Sequence, residues 1–443
     1  MEQIPYEAPQ PMSLNLQRIA WAVVLVGFVL FCGLCAFSVY GLYSFFFQST
    51  VPMTVIAQAS RGSIGITGTD LREDVERGSR ALALANTVRP NDQESQGIIV
   101  IQDPYLQNSF VASLTLIGDS SAAIRAALRP RFEWGGAGYV VQVSRVSGSL
   151  EVTIAQDLPR GLEFELSTER RARVRLTDPG WYSIDMSSDS ITVYSHGGTA
   201  LIYGPDKSVG YSVTSNSGSV YSIADDDLRA VSPSVNLLVN SEFYDVLPQS
   251  ERLETVAPLN WACSHTPNPP RDVFTVDHQD GRNVLRMTRG DGATSNGETT
   301  CTQGLAIGET WQDISEYDSL SIRASMYLNF QSLAVCGFEG SECPLMLRLD
   351  YINADGVKGE LLYGFYAVPG PADPYDLTCP SCRQPHIRLQ EKTWYSFESG
   401  NLLAGFPSDS RPVAISRLRF YASGHEYDVR VSRIALIAQS DGG

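Results

Sequence analysis

The runs Tyr139-Val140-Val141-Gln142-Val143 and Leu150-Glu151-Val152-Thr153-Ile154 decide how this chain folds. In the second run every other side chain is apolar, and β-branched residues are frequent in both. Successive side chains of a strand point to opposite faces of a sheet, so a period of two predicts half-buried strands. The two runs therefore predict that this part of the chain is β structure.

Outward from these runs, the same pattern recurs at intervals of about 8 to 12 residues from Thr54 onward, with Gly, Asp, Asn or Ser between the runs. Further examples are 97–101, 111–116, 172–176 and 190–194. The one helical candidate in this region is the segment from Asp70 to Leu84. An all-β region of this length exceeds one ordinary core, so the sequence predicts two β domains.

The boundary between the two domains is predicted at residues 225–235. Asp225-Asp226-Asp227 is followed by Ser232-Pro233-Ser234, and an acidic run before a proline turn is typical of a solvated linker. Calcium binding by the three aspartates is the alternative. The predicted domains are therefore residues 52–224 and 236–440.

The segment from Ile19 to Phe47 is uncharged and longer than the ~20 residues that span a bilayer as a helix. It predicts a transmembrane helix over 19–47 with residues 1–18 as a cytoplasmic tail, because Arg18 precedes it and the positive-inside rule places such a residue in the cytoplasm. A cleaved signal peptide is the alternative, because Ala57-Gln58-Ala59 resembles a cleavage site.

The cysteines of the second domain are even in number and suit an oxidising, extracytoplasmic compartment. They are Cys263, Cys301, Cys336, Cys343, Cys379 and Cys382. Pairing each with its nearest neighbour gives one of 15 connectivities. A zinc site formed by the last four is the alternative. We expect disulfides, with no metal and no cofactor.

The chain carries 33 basic and 49 acidic residues, a formal net charge of −16. A surface of this sign repels nucleic acid and favours a soluble domain outside the cytoplasm. We therefore expect no nucleic-acid partner.

Residues 52–224 resemble the extracytoplasmic FecR-like domain. The resemblance rests on Thr54-Val55-Ile56-Ala57, the stretch 90–97, Gly148-Ser149-Leu150-Glu151-Val152 and Gly180-Trp181-Tyr182-Ser183-Ile184. It implies a series of short, Gly-delimited strands after a transmembrane helix. Family members that regulate sigma factors hold their partner with a long cytoplasmic tail, which residues 1–18 are too short to provide, so that role is not implied.

Residues 236–440 resemble the galactose-binding-like jelly rolls used as carbohydrate-binding modules. The resemblance rests on the order of the stretches 236–243, 311–322, 415–420 and 429–436. It implies a jelly-roll β-sandwich that binds a glycan. The closing strand of that family usually brings an Asp to a structural calcium, but this chain has Ser432-Arg433 there, so no calcium site is implied.

Catalytic motifs are absent from the sequence: it contains no GxSxG, no HExxH and no phosphate loop. Glu163 and Glu165 share one strand face, as they do in any half-solvated strand. The aromatic side chains of the second domain are the better candidates, because a flat ring matches the apolar face of a sugar. These candidates are Trp261, Trp311, Tyr363, Tyr366, Trp394 and Tyr421, most of which we expect in the core.

We therefore expect a non-enzymatic, single-pass membrane protein whose ectodomain binds a glycan or another partner in the cell envelope. Its other partner is the lipid bilayer, through residues 19–47. Two alternatives remain. The ectodomain could relay an envelope signal as FecR-type proteins do, or it could be a polysaccharide hydrolase or lyase, which needs two carboxylates facing one sugar ring.

Overall fold

The computed structural model describes residues 13–68, 72–106, 110–231, 234–246, 256–267, 269–270, 272–290, 292–305, 311–371, 377–407 and 410–440. The chain divides into two compact units. One comprises Met1–Val51 with Leu128–Tyr139, and the other comprises Pro52–Ala127 with Val140–Gly443. The predicted all-β fold beyond the N-terminal helix is confirmed.

The first unit contains helix α1, Ser13–Tyr43, which continues into a π-helical turn, Ser44–Gln48. Among the described residues, one helical stretch is long and apolar enough to cross a membrane, Arg18–Gln48, with a mean hydropathy of 2.7 and no part of its apolar window buried in the protein. A helix that is apolar on all sides and unburied requires an apolar surrounding medium. A membrane anchor and a signal sequence both meet this description.

The strands described up to residue 230 are β1 Thr50–Pro52, β2 Thr54–Arg61, β3 Ile64–Thr67, β4 Arg72–Val75, β5 Ser79–Ala81, β6 Thr87–Pro90, β7 Gln96–Gln102, β8 Phe110–Ile117, β9 Ser121–Pro130, β10 Tyr139–Ile154, β11 Leu162–Ser167, β12 Arg173–Leu176, β13 Gly180–Met186, β14 Ser190–Ser195, β15 Ala200–Tyr203, β16 Tyr211–Val213, β17 Ser217–Ser222 and β18 Asp227–Ala230.

One long ladder of this first β domain runs in the order β5-β2-β7-β8-β10-β13-β14-β17-β18. Two shorter ladders run in the orders β4-β3-β6-β9 and β11-β12-β15-β16. Strand β10 pairs with β8, β9, β11 and β13 and so joins the ladders into one closed set.

The strands described beyond residue 233 are β19 Ser234–Asn236, β20 Ala262–His265, β21 Val273–Gln279, β22 Arg282–Arg289, β23 Gly297–Gly304, β24 Gln312–Asp313, β25 Ser319–Gln331, β26 Leu345–Asn353, β27 Lys358–Tyr366, β28 Ile387–Arg388, β29 Trp394–Glu398, β30 Pro412–Gly424 and β31 Tyr427–Gln439.

These strands form a sandwich of two sheets. The first sheet has the order β21-β22-β31-β25-β29, with β19 also paired to β31, and the second has the order β20-β23-β30-β26-β27-β28, with β24 also paired to β30. Alternate side chains of both sheets meet in one apolar core that includes Ile322, Leu347, Phe365, Phe420 and Leu436. At roughly 25 cal/mol per Å² of apolar surface removed from water, this burial is the main force that holds the sandwich together.

Residues 225–235, predicted to be a solvated linker, contain strand structure in their described part. Residues of β18 pair with β17, and residues of β19 pair with β31. The carboxylate of Asp226 lies 2.7 Å from Lys207 Nζ and accepts a hydrogen bond from the Tyr221 hydroxyl at 2.7 Å. The acidic run therefore lies at the turn between β17 and β18. The charge of Asp226 is paired within the domain.

The helix predicted from Asp70 to Leu84 is wrong over its described residues; Asp70 and Leu71 lie outside them. The segment forms strands β4 and β5, which pair with β3 and β2. Gly78 between them has a φ of +78°, which breaks a helix. Pairing with neighbouring strands has overridden the local preference of this segment for a helix.

The six cysteines form disulfides in the nearest-neighbour pairing. Cys263 bonds Cys301, Cys336 bonds Cys343, and Cys379 bonds Cys382. The four sulfur atoms of the zinc alternative are bonded in pairs in this structure and are not thiolates. The first disulfide also links two paired strands, β20 and β23.

The outer face of the first sheet of the sandwich packs against the first β domain. Trp181 contacts Ala435 and Ile437 of β31, and Ile98 packs with Val284 and Trp394. These contacts cover one of the two outer faces of the sandwich.

Arg433 is the most deeply buried cation of this interface. Its Nη2 donates to Glu151 Oε2 at 3.1 Å, and the side chains of both residues are at most 7% exposed. Its guanidinium also lies 3.3 Å from the centroid of the Trp181 ring. Burial lowers the pKa of Arg433, while Glu151 and Glu242 oppose that effect. Glu151 thus compensates a charge that the interface removes from water.

Arg282 enters the first β domain beside Arg433. Its Nη2 donates to Ser113 Oγ at 2.6 Å, and its guanidinium lies 5.1 Å from the Phe110 ring and 4.8 Å from the Trp394 ring. Burial lowers the pKa of Arg282 to about 10. The aromatic faces on both sides attract the cation and partly replace its hydration.

The turn that precedes Arg282, Asp280-Gly281, also lies close to the first β domain. Asp280 and Gly281 both have positive φ angles, +50° and +68°, as a two-residue Asp-Gly hairpin turn requires. A Cβ on residue 281 would lie 2.6 Å from Phe110 and 2.9 Å from Ala155. Glycine is therefore needed both for the turn and for the close approach of the two β domains.

We expect Arg433→Met to lower the free energy of unfolding by about 3–5 kcal/mol, because it leaves the Glu151 carboxylate buried without a counter-charge. The measurement is the denaturant midpoint of the full chain in detergent. Arg170→Met is the matched control, since Arg170 pairs with Asp189 at 3.3 Å on an exposed surface and should cost at most about 1 kcal/mol. Equal effects of the two substitutions would contradict the pairing described here.

We expect the interface to lose stability as the pH falls below about 6.5. Burial, with the nearby charges of Arg323 and Arg433, holds the pKa of His196 well below its usual value. The folded state therefore keeps His196 neutral while the unfolded chain takes up a proton, so stability is full above the unfolded pKa and falls below it by up to about 1.4 kcal/mol per pH unit.

Unfolding midpoints between pH 7.5 and 5 measure this dependence. His196→Gln should flatten it, whereas His278→Gln, at an exposed position, should leave it unchanged. A pH profile that is the same with and without His196 would show that this residue is not its source.

Candidate functional site

The second sheet of the sandwich carries the candidate site on its outer face. Strand pairing aligns the outward side chains of β23, β30, β26 and β27 in three rows. The rows are Thr300-Tyr421-Met346-Gly364, Thr302-Arg419-Arg348-Leu362 and Gly304-Arg417-Asp350-Glu360. This face is therefore apolar at one end and charged at the other.

A cleft of about 490 Å³, which we call the Trp311 cleft, lies at the charged end. Its lining includes Trp311, Arg348, Asp350, Lys358, Glu360 and Arg417. Trp311 directly precedes β24, and its ring is half-buried. The ammonium of Lys358 lies 5.8 Å from the centroid of that ring, within the distance at which a cation is attracted to an aromatic face.

Four charged side chains of the cleft, those of Arg348, Asp350, Glu360 and Arg417, are paired with one another. Arg348 Nε donates to Asp350 Oδ1 at 2.6 Å, and Arg348 Nη2 lies 2.7 Å from Glu360 Oε2. Arg417 Nε donates to the other oxygen of Asp350. Burial acts to raise the pKa of the Asp350 carboxyl, but the hydrogen bonds from Arg348 and Arg417 outweigh it, so this pKa is lowered. The network holds its members in place before any ligand arrives.

The apolar end of the face is covered by disulfide-linked loops. Val335, Met346, Leu362, Tyr366 and Tyr421 pack into a second apolar cluster. The disulfides Cys336–Cys343 and Cys379–Cys382 lie within or against this cluster. The loops thus cover the rings of Tyr366 and Tyr421 and leave the Trp311 cleft open.

The structure brings one of the predicted ligand-contact residues, Trp311, into this cleft. Trp261 lies in the core, 5.2 Å from the ring of Phe420, and donates its Nε1 to the carbonyl of Asn240 at 3.2 Å. Tyr363 lies in the same core, 5.0 Å from the Phe397 ring. Trp394 belongs to the interface with the first β domain, and Tyr366 lies with Tyr421 beneath the loops.

Sequence reasoning missed the charged lining of the cleft. The signal is the alternation Leu347-Arg348-Leu349-Asp350 in β26, in which the two leucines are buried in the core and the charged residues point to the other face. Arg417 follows the same rule in β30, before Leu418. Such alternation identifies a solvated face, but the neighbouring strands that bring these residues together are known only from the fold.

Glu163 and Glu165 form ion pairs within the first β domain. Both accept from Arg175 across β11 and β12, at 3.1 and 3.4 Å. They therefore act as cross-strand ion-pair partners, as the strand-face interpretation predicted.

A smaller cavity of about 240 Å³ lies between the two β domains, beside Trp181, His196, Glu242 and Arg433. Burial raises the pKa of the Glu242 carboxyl, although Arg433 opposes it. A cavity of this size lies below the range of about 300–1,000 Å³ typical of ligand pockets. The Trp311 cleft, at about 490 Å³, falls within that range.

Comparisons with known proteins give weak likenesses. No family model and no curated protein sequence matches the chain. A solved structure assigned as an anti-sigma factor, from Parabacteroides distasonis ATCC 8503, is 12% identical over 33% of this chain, with a TM-score of 0.22. The match spans 59% of that protein's own chain.

Two further solved structures are carbohydrate-binding domains. A family 11 carbohydrate-binding module from Clostridium thermocellum, in complex with a β-1,3-1,4-mixed-linked tetrasaccharide, is 14% identical over 45% of this chain and 97% of its own, with a TM-score of 0.24. A xylan-binding domain from Paenibacillus barcinonensis is 10% identical over 47% of this chain and 97% of its own, with a TM-score of 0.25. Likenesses at this level do not define a function for this chain.

Proposed function

We propose that this chain is a single-pass, membrane-anchored extracytoplasmic protein that binds a glycan in the Trp311 cleft. The observation that carries the proposal is the half-buried Trp311 ring beside paired arginine and carboxylate groups, on the sandwich face that the first β domain leaves uncovered. This combination matches the two surfaces of a sugar, an apolar C–H face and a rim of hydroxyl groups.

The polar groups of the cleft suit the hydroxyl groups of a sugar better than they suit a charged ligand. Asp350 and Glu360 can accept from sugar hydroxyls, while Lys358 and Arg417 can donate to them. The chain carries a net charge of −16, which disfavours long anionic polymers. The ligand class is therefore a neutral glycan, and the prepaired side chains reduce the ordering cost of binding it.

The same geometry supports binding without cleavage. Asp350 and Glu360 lie directly opposite each other on β26 and β27, and both contact Arg348. Glycoside hydrolysis requires one carboxyl group that holds a proton for the leaving oxygen. Arg348 bridges the two carboxylates, and the lowered pKa of Asp350 works against the acid role for that residue, so we propose a binding protein rather than a hydrolase.

The helix and the disulfides support the proposed location. Segment 19–47 can anchor the chain, and the three disulfides of the sandwich suit an oxidising compartment. The N-terminus then lies in the cytoplasm and both β domains lie outside it.

Protease added to cells whose plasma membrane is intact should remove both β domains and leave a small membrane-bound fragment. The readout is immunoblotting with tags at each end of the chain, and a cytoplasmic protein serves as the control for membrane integrity. Release of a soluble chain that begins near Ser60 would show instead that the segment is cleaved as a signal peptide.

We expect the full chain in nanodiscs to bind a neutral oligosaccharide with a Kd between about 1 μM and 1 mM, which corresponds to roughly −8 to −4 kcal/mol. A glycan array identifies the ligand, and titration calorimetry measures it. Trp311→Ala should weaken binding about tenfold or more, because it removes the stacking ring at a cost of about 1.4 kcal/mol or more.

Arg417→Ala should also weaken binding, whereas Phe330→Ala should not, since Phe330 is an exposed ring on the other sheet. Unchanged thermal midpoints would show that each variant is folded. If no glycan binds, or if folded Trp311→Ala binds as the parent does, the cleft is not a glycan site.

A further inference from the structure

Four aromatic rings, which we call the aromatic collar, meet at the C-terminal end of the apolar helix. They are Phe45, Phe46, Phe132 and Trp134. Phe132 lies 5.6 Å from Phe45 and 5.5 Å from Phe46, and it stacks on Trp134 at 4.9 Å. The collar thus joins the end of the helix to the loop between β9 and β10.

Polar contacts fix this loop to the same place. The backbone N–H of Arg131 donates to the carbonyl of Ser49 at 2.9 Å, and the Arg131 guanidinium lies 5.4 Å from the centroid of the Phe45 ring. A Cβ on Gly135 would lie 3.1 Å from the carbonyl oxygen of Phe47. The loop is therefore held against the helix end by its backbone as well as by its rings.

The collar leaves much apolar surface uncovered by protein. Trp134 is 63% exposed, and Phe45 and Phe46 are 48% and 39% exposed. Exposed rings that are contiguous with one another need an apolar partner. Tryptophan in particular concentrates at the membrane–water boundary, where the ring is buried among lipids and its N–H stays hydrated.

We propose that the collar inserts the β9–β10 loop into the interfacial layer of the bilayer that the helix crosses. The partner is phospholipid at the level of the headgroups, so the loop is a second membrane contact in addition to the span. This inference rests on the proposed role of segment 19–47 as an anchor.

The spacing of the aromatic residues along the helix supports insertion of the collar to the level of the headgroups. Trp21 and Phe45 are 24 positions apart, or about 36 Å at 1.5 Å per residue. A hydrocarbon core of about 30 Å fits between them. Trp21 then lies at one boundary of the membrane and the collar at the other, where Arg131 can extend its guanidinium towards lipid phosphates.

The test uses the full chain labelled with 5-fluorotryptophan in nanodiscs of phosphatidylcholine and phosphatidylglycerol. Fluorine NMR resonances are assigned with Trp21→Phe, Trp134→Phe and Trp311→Phe. A lipid with a spin label near the headgroup reports depth, and a water-soluble gadolinium chelate reports solvent exposure. Trp311, in the proposed glycan cleft, is the solvent-facing reference.

The spin-labelled lipid should broaden the resonances of Trp134 and Trp21, and the chelate alone should broaden that of Trp311. Phe132→Ser, which removes the ring between Trp134 and the helix, should reduce the lipid broadening of Trp134 by about twofold or more. Phe330→Ser is the matched control and should have no effect.

The outcomes separate the two proposals. A Trp134 resonance that behaves like that of Trp311, while Trp21 is broadened by lipid, overturns the collar and leaves the anchor intact. If the spin-labelled lipid broadens neither the Trp21 resonance nor the Trp134 resonance, both the anchor and the collar are overturned. Glycan binding by the same sample is measured independently of both results.

Discussion

Burial of three guanidinium groups is the constraint on which the two β domains depend. Arg282, Arg323 and Arg433 all project from the first sheet of the sandwich, and a cation removed from water must find an acceptor or an aromatic face. The first β domain supplies these: Glu151 for Arg433, Ser113 for Arg282, and Ser183 for Arg323 at 3.0 Å. Because each acceptor lies on a different strand, the three contacts together restrict the relative position of the two domains.

That position determines which surface of the sandwich is open to a ligand. The first sheet is covered by the first β domain, and the apolar end of the second sheet is covered by its own loops. The remaining surface contains the half-buried ring of Trp311 and a charged network that is satisfied internally. Paired charges are stable at such a surface, because each group already has a partner and remains partly hydrated.

The sequence predicted the class of the fold well and the site poorly. Alternation such as Leu150-Glu151-Val152 is a local signal, so strands could be predicted from it, and the pairing of neighbouring cysteines could be predicted from their order in the chain. Trp261 and Trp394 carry no local mark that distinguishes a core ring or an interface ring from a ligand-binding one, because burial depends on which strands become neighbours. For the same reason the sequence does not predict the pairing of Arg348 with Glu360, which depends on the register of β26 and β27. The helix predicted over this region was wrong for residues 72–81 because strand pairing, a long-range contact, determined their structure.

The disulfide between Cys263 and Cys301 has a consequence for assembly. Strand β20 lies at one edge of the second sheet, and an edge strand can detach and be replaced by the same strand of another molecule. The covalent bond to β23 prevents that exchange even when the ladder hydrogen bonds open transiently. Where molecules of this protein meet at high local concentration, the cross-link therefore keeps each copy self-contained.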